Sequence, residues 1–245
     1  MIEVTDHAGI AVLRLNRGPV NVLDLELLGA LPDTLAGVAG AAAVVLTGAG
    51  RCFSAGVDLK RIVEGGPAYV AEFLPALSTA ALALFDHPRP VVAAVNGHAL
   101  AGGCVLAAAC DVRLMSAGTI GLTELAAGVP FPAVPMEIMR HAVGAAASEL
   151  VLTARVMDPA AARGLGLIHD VVEPDDLLSA ALLRAERLAT TPAAVYALSK
   201  EQLHRPTRDR IDATRPLDDP RVLELWSSPA THQTLREFLA ALANR

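Results

Sequence analysis

Residues 90–111, PVVAAVNGHALAGGCVLAAACD, decide how the rest of the chain is read. From Val91 to Cys110 there is no charged residue, a length sufficient to cross a bilayer. Asn96-Gly97-His98 and Gly102-Gly103 interrupt it, however, and turn signals midway point to a buried strand followed by a buried helix. Working outward, VVLTGAGRCFSAGVDLK (44–60) repeats the order of apolar strand and glycine loop, and a helical stretch follows over roughly 67–86. Ile10–Leu15, after the turn pair Ala8-Gly9, and Val112–Met115 read as further strands. Leu25, Leu27, Leu28, Leu31, Leu35 and Val38 recur at helical spacing, with Pro32 expected to kink or shorten that helix. Strand, loop and helix units recur to about residue 175, which predicts an α/β class. Beyond Pro192 the strand signals stop. Ala193–His204, Arg221–Trp226 and Ala230–Leu242 are helix-like, and the charged, proline-bearing Arg205–Pro220 reads as a connector.

Composition narrows the function. The 245 residues are 53% hydrophobic but only 3% aromatic, so the apolar content is Ala, Leu and Val. A net charge of −6 provides no general field for phosphate backbones or anionic lipid, so neither a nucleic-acid nor a membrane partner is expected. Cys52, Cys104 and Cys110 form no C-x-x-C pair and are expected as reduced core residues of a cytoplasmic protein. The start, Met1-Ile2-Glu3-Val4, shows neither a basic n-region nor a long apolar run.

Several familiar motifs fail. Gly48-Ala49-Gly50 follows a strand, but Phe53 stands where a dinucleotide-binding loop needs its third glycine. Cys52 replaces the first glycine of a nucleophile elbow around Ser54, which reads better as a loop or capping hydroxyl. His98, Cys104 and Cys110 match no common metal-ligand spacing, so no metal is expected. Two glycine loops remain, each after a buried strand: 53–59 (FSAGVDL) and 96–104 (NGHALAGGC). Glycine permits close backbone approach and a helix start leaves N–H groups free, so two such loops can aim two donors at one oxygen. Two tight turns with no further role would leave the same trace.

Leu13–Asn21 (LRLNRGPVN), Val44–Lys60, Pro90–Asp111 and Gly121–Gly128, in that order and separation, resemble the successive signatures of the crotonase, or enoyl-CoA hydratase/isomerase, superfamily. The resemblance covers nearly the whole chain and is weakest after residue 205. It implies a spiral of β-β-α units over residues 1–191, followed by a helical C-terminal part, 192–245, that builds a homotrimer or a dimer of trimers. It also implies an acyl-CoA thioester substrate whose enolate is held by the backbone N–H groups of Val57 and Gly102. Ala55, Lys60 and Lys200 become candidate coenzyme A contacts. No separate cofactor is implied, because coenzyme A is part of the substrate.

Hydratases of that family use two glutamates. Here Val105 stands at the first position and Glu124, in Gly121-Leu122-Thr123-Glu124, at the second. Valine cannot orient or deprotonate water, whereas one carboxylate suffices to move a proton from C2 to C4 of a 3-enoyl thioester. The pattern therefore resembles the Δ3,Δ2-enoyl-CoA isomerases of fatty acid degradation. Leu122, Leu125, Val105 and Phe131 are expected to give Glu124 an apolar setting that raises its pKa. Glu137 reads as an exposed helix residue that could also supply a second acid, and Asp111 as a structural turn residue. Pro130, Pro132 and Pro135 depart from the hydratase pattern. The alternatives are a hydratase with a non-standard second acid/base and a catalytically silent acyl-CoA binder.

Overall fold

The apolar runs at 10–15, 44–46 and 91–95 lie side by side, as buried parallel strands should. A computed structural model describes residues 1–243. The strands are β1 (Ile2–His7), β2 (Ile10–Leu15), β3 (Val22–Leu23), β4 (Ala43–Gly48), β5 (Cys52–Ser54), β6 (Gly56–Val57), β7 (Val91–Val95), β8 (His98–Leu100), β9 (Val112–Met115), β10 (Ile120–Gly121), β11 (Val156–Met157) and β12 (Asp170–Val171). The helices are α1 (Leu25–Gly37), α2 (Leu59–Phe85), α3 (Gly102–Ala108), α4 (Ala133–Val143), α5 (Ala147–Leu152), α6 (Pro159–Gly164), α7 (Leu177–Ala189), α8 (Ala193–Ser227) and α9 (Pro229–Ala243).

A six-stranded sheet has the order β1-β2-β4-β7-β9-β12, and a four-stranded sheet the order β11-β10-β8-β5. Each turn of the chain places one strand in the large sheet, the next in the small sheet, and then a helix. The sequences β4-β5-α2, β7-β8-α3 and β9-β10-α4 are three such turns, stacked in parallel register through Val45, Val92 and Val112. This is the expected spiral of β-β-α units. β4 and β7, at the centre of the large sheet, are buried along their whole length and covered on both faces, which is why they read as unbroken apolar runs rather than alternating ones. On β2, Ile10 and Val12 pack with Leu177, Ala181 and Ala185 of α7, while Ala11, Leu13 and Leu15 join the main core.

Three sequence expectations change. β1 went unread because Glu3, Thr5 and Asp6 dilute its apolar signal; it pairs antiparallel with β2 across Ala8 and Gly9, both at positive φ. Pro32 lies inside α1 without ending it. The helix expected over about 67–86 is present to Phe85; α2 adds a shorter stretch ahead of it from Leu59, started by the Asp58 carboxylate, which accepts the Arg61 N–H at 3.1 Å, and separated from it by the kink at Gly66, φ +63°. α2 is long and apolar enough to cross a membrane, yet it buries Ile62, Val70, Phe73 and Leu77 in the core. Finally, Arg205–Pro220 is no connector. It is the middle of α8, which contains Pro206, Pro216 and Pro220. The buried face of α8 runs through Lys200, His204, Thr207, Ile211, Val222 and Trp226. That spacing is helical, but the stripe is half polar, so hydrophobic periodicity did not expose it.

One buried side chain ties the first glycine loop to the sheet. Asn21, at φ +51°, accepts the Arg17 N–H at 3.0 Å and donates to the carbonyls of Ala49 (3.1 Å) and Cys52 (2.7 Å). Asn21→Ala should lower the unfolding free energy by about 2 to 4 kcal/mol, since two carbonyls lose their donor, as read from urea denaturation.

Candidate active site

The site forms where two glycine loops meet on successive turns of the spiral. The Ser54 hydroxyl donates to the Asn21 carbonyl at 2.7 Å and accepts the Gly56 N–H at 3.1 Å, so its role is to pin the first loop. The second loop turns through Ala101, held at φ +50°, into α3. A Cβ on Gly103 would stand 2.4 Å from the Ser54 carbonyl oxygen, so only glycine lets the loops approach this closely. The closeness brings Val57 and Gly102 together: a Cβ on Gly102 would lie 3.7 Å from the Val57 side chain. Asp58 donates its N–H to Leu23 in the β3–β6 ladder, which turns the Val57 N–H away from β3. Gly102 opens α3, where N–H groups have no partner within the helix.

A cavity of about 660 Å³ opens in front of these loops. Among the described residues its ionisable lining is Asp58, Lys60 and Glu124; the rest is largely apolar. Asp58 is engaged as the cap of α2. Glu124 is 8% exposed and its Oε2 has no hydrogen-bond partner. Burial pushes its pKa up to about 8, against the pull of backbone N–H groups at Glu124 and Thr123. A buried carboxyl of this kind is poised to exchange a proton near neutral pH, in a cavity that Val57 of the first glycine loop and Ala101 of the second also line.

Comparison with known proteins gives the family and the fold. The enoyl-CoA hydratase/isomerase family model matches residues 5–241. The chain belongs to the enoyl-CoA hydratase/isomerase family. A putative enoyl-CoA hydratase from Thermus thermophilus is 36% identical over 212 residues, covering 83% of each chain. The mitochondrial enoyl-CoA delta isomerase 1 of Rattus norvegicus is 30% identical over 253 residues, covering all of this chain and 88% of the relative. The crystal structure of human mitochondrial Δ3-Δ2-enoyl-CoA isomerase superposes with a TM-score of 0.93 at 28% identity, over 99% of this chain and 98% of that one.

In this member of the family the sequence candidates sort clearly. Ala55, Val57, Lys60 and Glu124 line the cavity, and Gly102 follows the lining residue Ala101. Lys60 is largely exposed at its edge, 3.9 Å from Glu64. Lys200 is elsewhere: it is 7% exposed, with Nζ 2.8 Å from Asp111 Oδ1, and does not line the cavity. Asp111 also accepts the Val91 N–H at 2.8 Å, a structural role as expected. Glu137 is neither exposed nor in the cavity. It is 1% exposed and clamped by Arg140 at 2.5 Å and Arg210 at 2.6 Å. Leu122, Val105 and Phe131 are buried and Leu125 is 36% exposed, and none of the four lines the cavity. Cys52, Cys104 and Cys110 are free and buried, and no metal-binding cluster occurs among the described residues.

Sequence reading missed the wall supplied by the C-terminal helices. Trp226 of α8 and Phe238, Leu239 and Leu242 of α9 line the cavity. Their helical spacing was visible; the surface they would face was not.

The raised pKa of Glu124 is also a statement about stability. Its neutral form is favoured in the folded protein, so its contribution is complete below the unfolded value of 4.5 and is lost as pH climbs toward 8. Glu124→Gln, neutral throughout, should unfold at the same urea concentration as the wild type at pH 4.5 and at progressively higher concentration than it up to pH 8.

Proposed function

We propose that this protein is a Δ3,Δ2-enoyl-CoA isomerase that works with Glu124 as its single base. The observation that carries the reading is the lone buried carboxyl in an apolar cavity, with no other unengaged acid among the described lining residues; the family resemblance adds that Val105 occupies the sequence position of the hydratases' other glutamate. In the proposed reaction the Glu124 carboxylate removes a C2 proton from a 3-enoyl thioester. The C–H electron pair passes into a dienolate whose oxygen accepts hydrogen bonds from the Val57 and Gly102 N–H groups. Glu124 then returns the proton to C4, the double bond forms between C2 and C3, and the carboxylate is regenerated. No water takes part and no separate cofactor is called for. Preorganised donors of this kind are worth about 3 to 4 kcal/mol where one has been removed. The elevated Glu124 pKa narrows the gap to a weakly acidic carbon, which favours transfer in the transition state.

The acyl tail would lie along Phe238, Leu239 and Leu242, and the thioester beside Ala55. Lys60 at the cavity edge would meet the coenzyme A phosphates, a role that the engaged, remote Lys200 does not share. The helical region 192–245 would build a trimer or a dimer of trimers, which sedimentation equilibrium would detect as threefold or sixfold the chain mass. A hydratase reading draws on the Thermus thermophilus relative and requires a group beyond Glu124 to orient water.

Incubation with 3-enoyl-CoA should yield the conjugated 2-enoyl thioester, followed by its ultraviolet absorbance, and faster than 2-enoyl-CoA is converted to 3-hydroxyacyl-CoA. Glu124→Gln should lower kcat about 10²- to 10⁴-fold, the range for loss of a general base. Because the carboxylate is the active form, kcat/KM should rise with pH and level off above about 8. Faster hydration than isomerisation, or isomerisation indifferent to Glu124→Gln, would refute the proposal.

A further inference from the structure

Glu124 lies on the connection between β10 and α4, residues 122–132, which has no strand or helix of its own. Inside it, the N–H groups of Ala127 and Val129 donate to the Glu124 carbonyl at 3.1 and 3.0 Å, making a closed turn. Such a turn moves as a unit unless something outside holds it. Leu122 anchors the near end by donating to the Arg155 carbonyl at 3.2 Å. Pro130 and Pro132 supply no N–H at the far end, which leaves fewer local hydrogen bonds to hold it there.

Those outside groups come from the C-terminal helices. Trp226 Nε1 donates to the Pro130 carbonyl at 2.8 Å, and Asp219 Oδ1 accepts the Ala133 N–H at 2.9 Å. Gly128, at φ +81°, lies where a Cβ would come within 2.8 Å of Thr234 Cγ2 on α9. Trp226 is 1% exposed, its ring is tilted against Phe73 at 6.4 Å, and it lines the same cavity as Glu124. It therefore has a fixed location and a single donor, spent on the segment that presents the carboxyl.

We infer that Trp226 is a positioning residue: by holding the Pro130 carbonyl, its indole N–H fixes where the Glu124 carboxyl points and keeps water from it. The inference rests on the reading of Glu124 as the base. It also gives the C-terminal helices a task within their own chain, apart from any role in assembly. Reactive geometry tolerates displacements of roughly half an ångström, so a loosened turn is felt at the reacting atoms even if the fold survives.

Trp226→Phe keeps a ring against Phe73 and removes only the donor. It should lower kcat for 3-enoyl-CoA about tenfold, the equivalent of one hydrogen bond, with KM changed less than about twofold. The second readout needs no turnover. Carbon-13 NMR of labelled glutamate carboxyls, with Glu124 assigned by its loss in Glu124→Gln, should show Glu124 titrating at lower pH in Trp226→Phe than in the wild type. The other ionisable groups facing it are Asp58 and Lys60 in the cavity and the Cys104 thiol of α3, whose pKa Glu124 helps to raise. The lining residues from α8 and α9 carry no charge, so the substitution changes solvation and not charged neighbours.

If the wild type does not isomerise 3-enoyl-CoA but the titration still moves in Trp226→Phe, the isomerase reading falls and the positioning role stands. An unmoved titration overturns the inference, as does a change confined to KM. Should Trp226→Phe fail to fold by circular dichroism, Gly128→Ala pushes the same turn from the Thr234 side and is read in the same two ways: a lowered titration with reduced kcat supports the role, and an unmoved titration overturns it.

Discussion

The Ser54 carbonyl and the backbone of Gly103 come so close that no side chain fits between them, and this contact joins two successive turns of the spiral. It sets the spacing of the loops, and with it the separation of Val57 from Gly102. Everything beneath serves to hold that spacing. Asn21 fastens the first loop to the carbonyls of Ala49 and Cys52, and Asn96 fastens the start of the second by accepting the Gly48 N–H at 3.0 Å. The stacked strands β4, β7 and β9 supply the rigid base, their side chains buried on both faces. Backbone donors fixed in this way need little reorganisation when charge develops in front of them, which is what makes them useful to chemistry.

The carboxyl opposite is governed by a different balance. Glu124 is held in a place where its ionised form is poorly solvated and its Oε2 has no partner, an arrangement that lowers stability at neutral pH. The rest of the protein compensates by apolar packing, with Phe53, Phe73, Phe85 and a large set of Leu, Val and Ala residues almost fully buried. Ion pairs elsewhere are arranged in the opposite sense. Asp24 caps α1 through the Leu27 N–H at 2.9 Å and also meets Arg17 at 2.6 Å, while Glu137 is shared by two arginines. Among these buried carboxylates, those of Asp24 and Glu137 are matched by guanidinium groups; that of Glu124 faces the cavity.

What the sequence revealed follows from how far each signal reaches. Strands such as Val44–Leu46 and Val91–Val95 were legible because burial on both faces leaves an unbroken apolar run. The glycine loops were legible because their backbone demands exclude other residues. α8 was misjudged at Arg205–Pro220 because that stretch carries three prolines and many charges and buries only Thr207 and Ile211, and the polar side chains buried along the same helix depend on partners far along the chain. His204 stacks on Phe85 at 3.7 Å and Lys200 reaches Asp111; neither contact leaves a local trace. Lys200 looked like a surface cation for the same reason, and Glu137 like a solvated helix residue.

The same limit explains why the far wall of the cavity escaped notice while its near wall did not. Val57, Gly102 and Glu124 belong to segments whose local pattern already departs from ordinary strands and helices. Trp226, Phe238 and Leu242 belong to helices whose pattern is ordinary, and their placement is decided by a tertiary docking event. The end of α8 and α9 add Trp226, Phe238, Leu239 and Leu242 as an apolar wall to the cavity that Glu124 lines. Part of the apolar lining around Glu124 therefore comes from residues more than a hundred positions along the chain, and the two ends of the site can be read together only once the chain has folded.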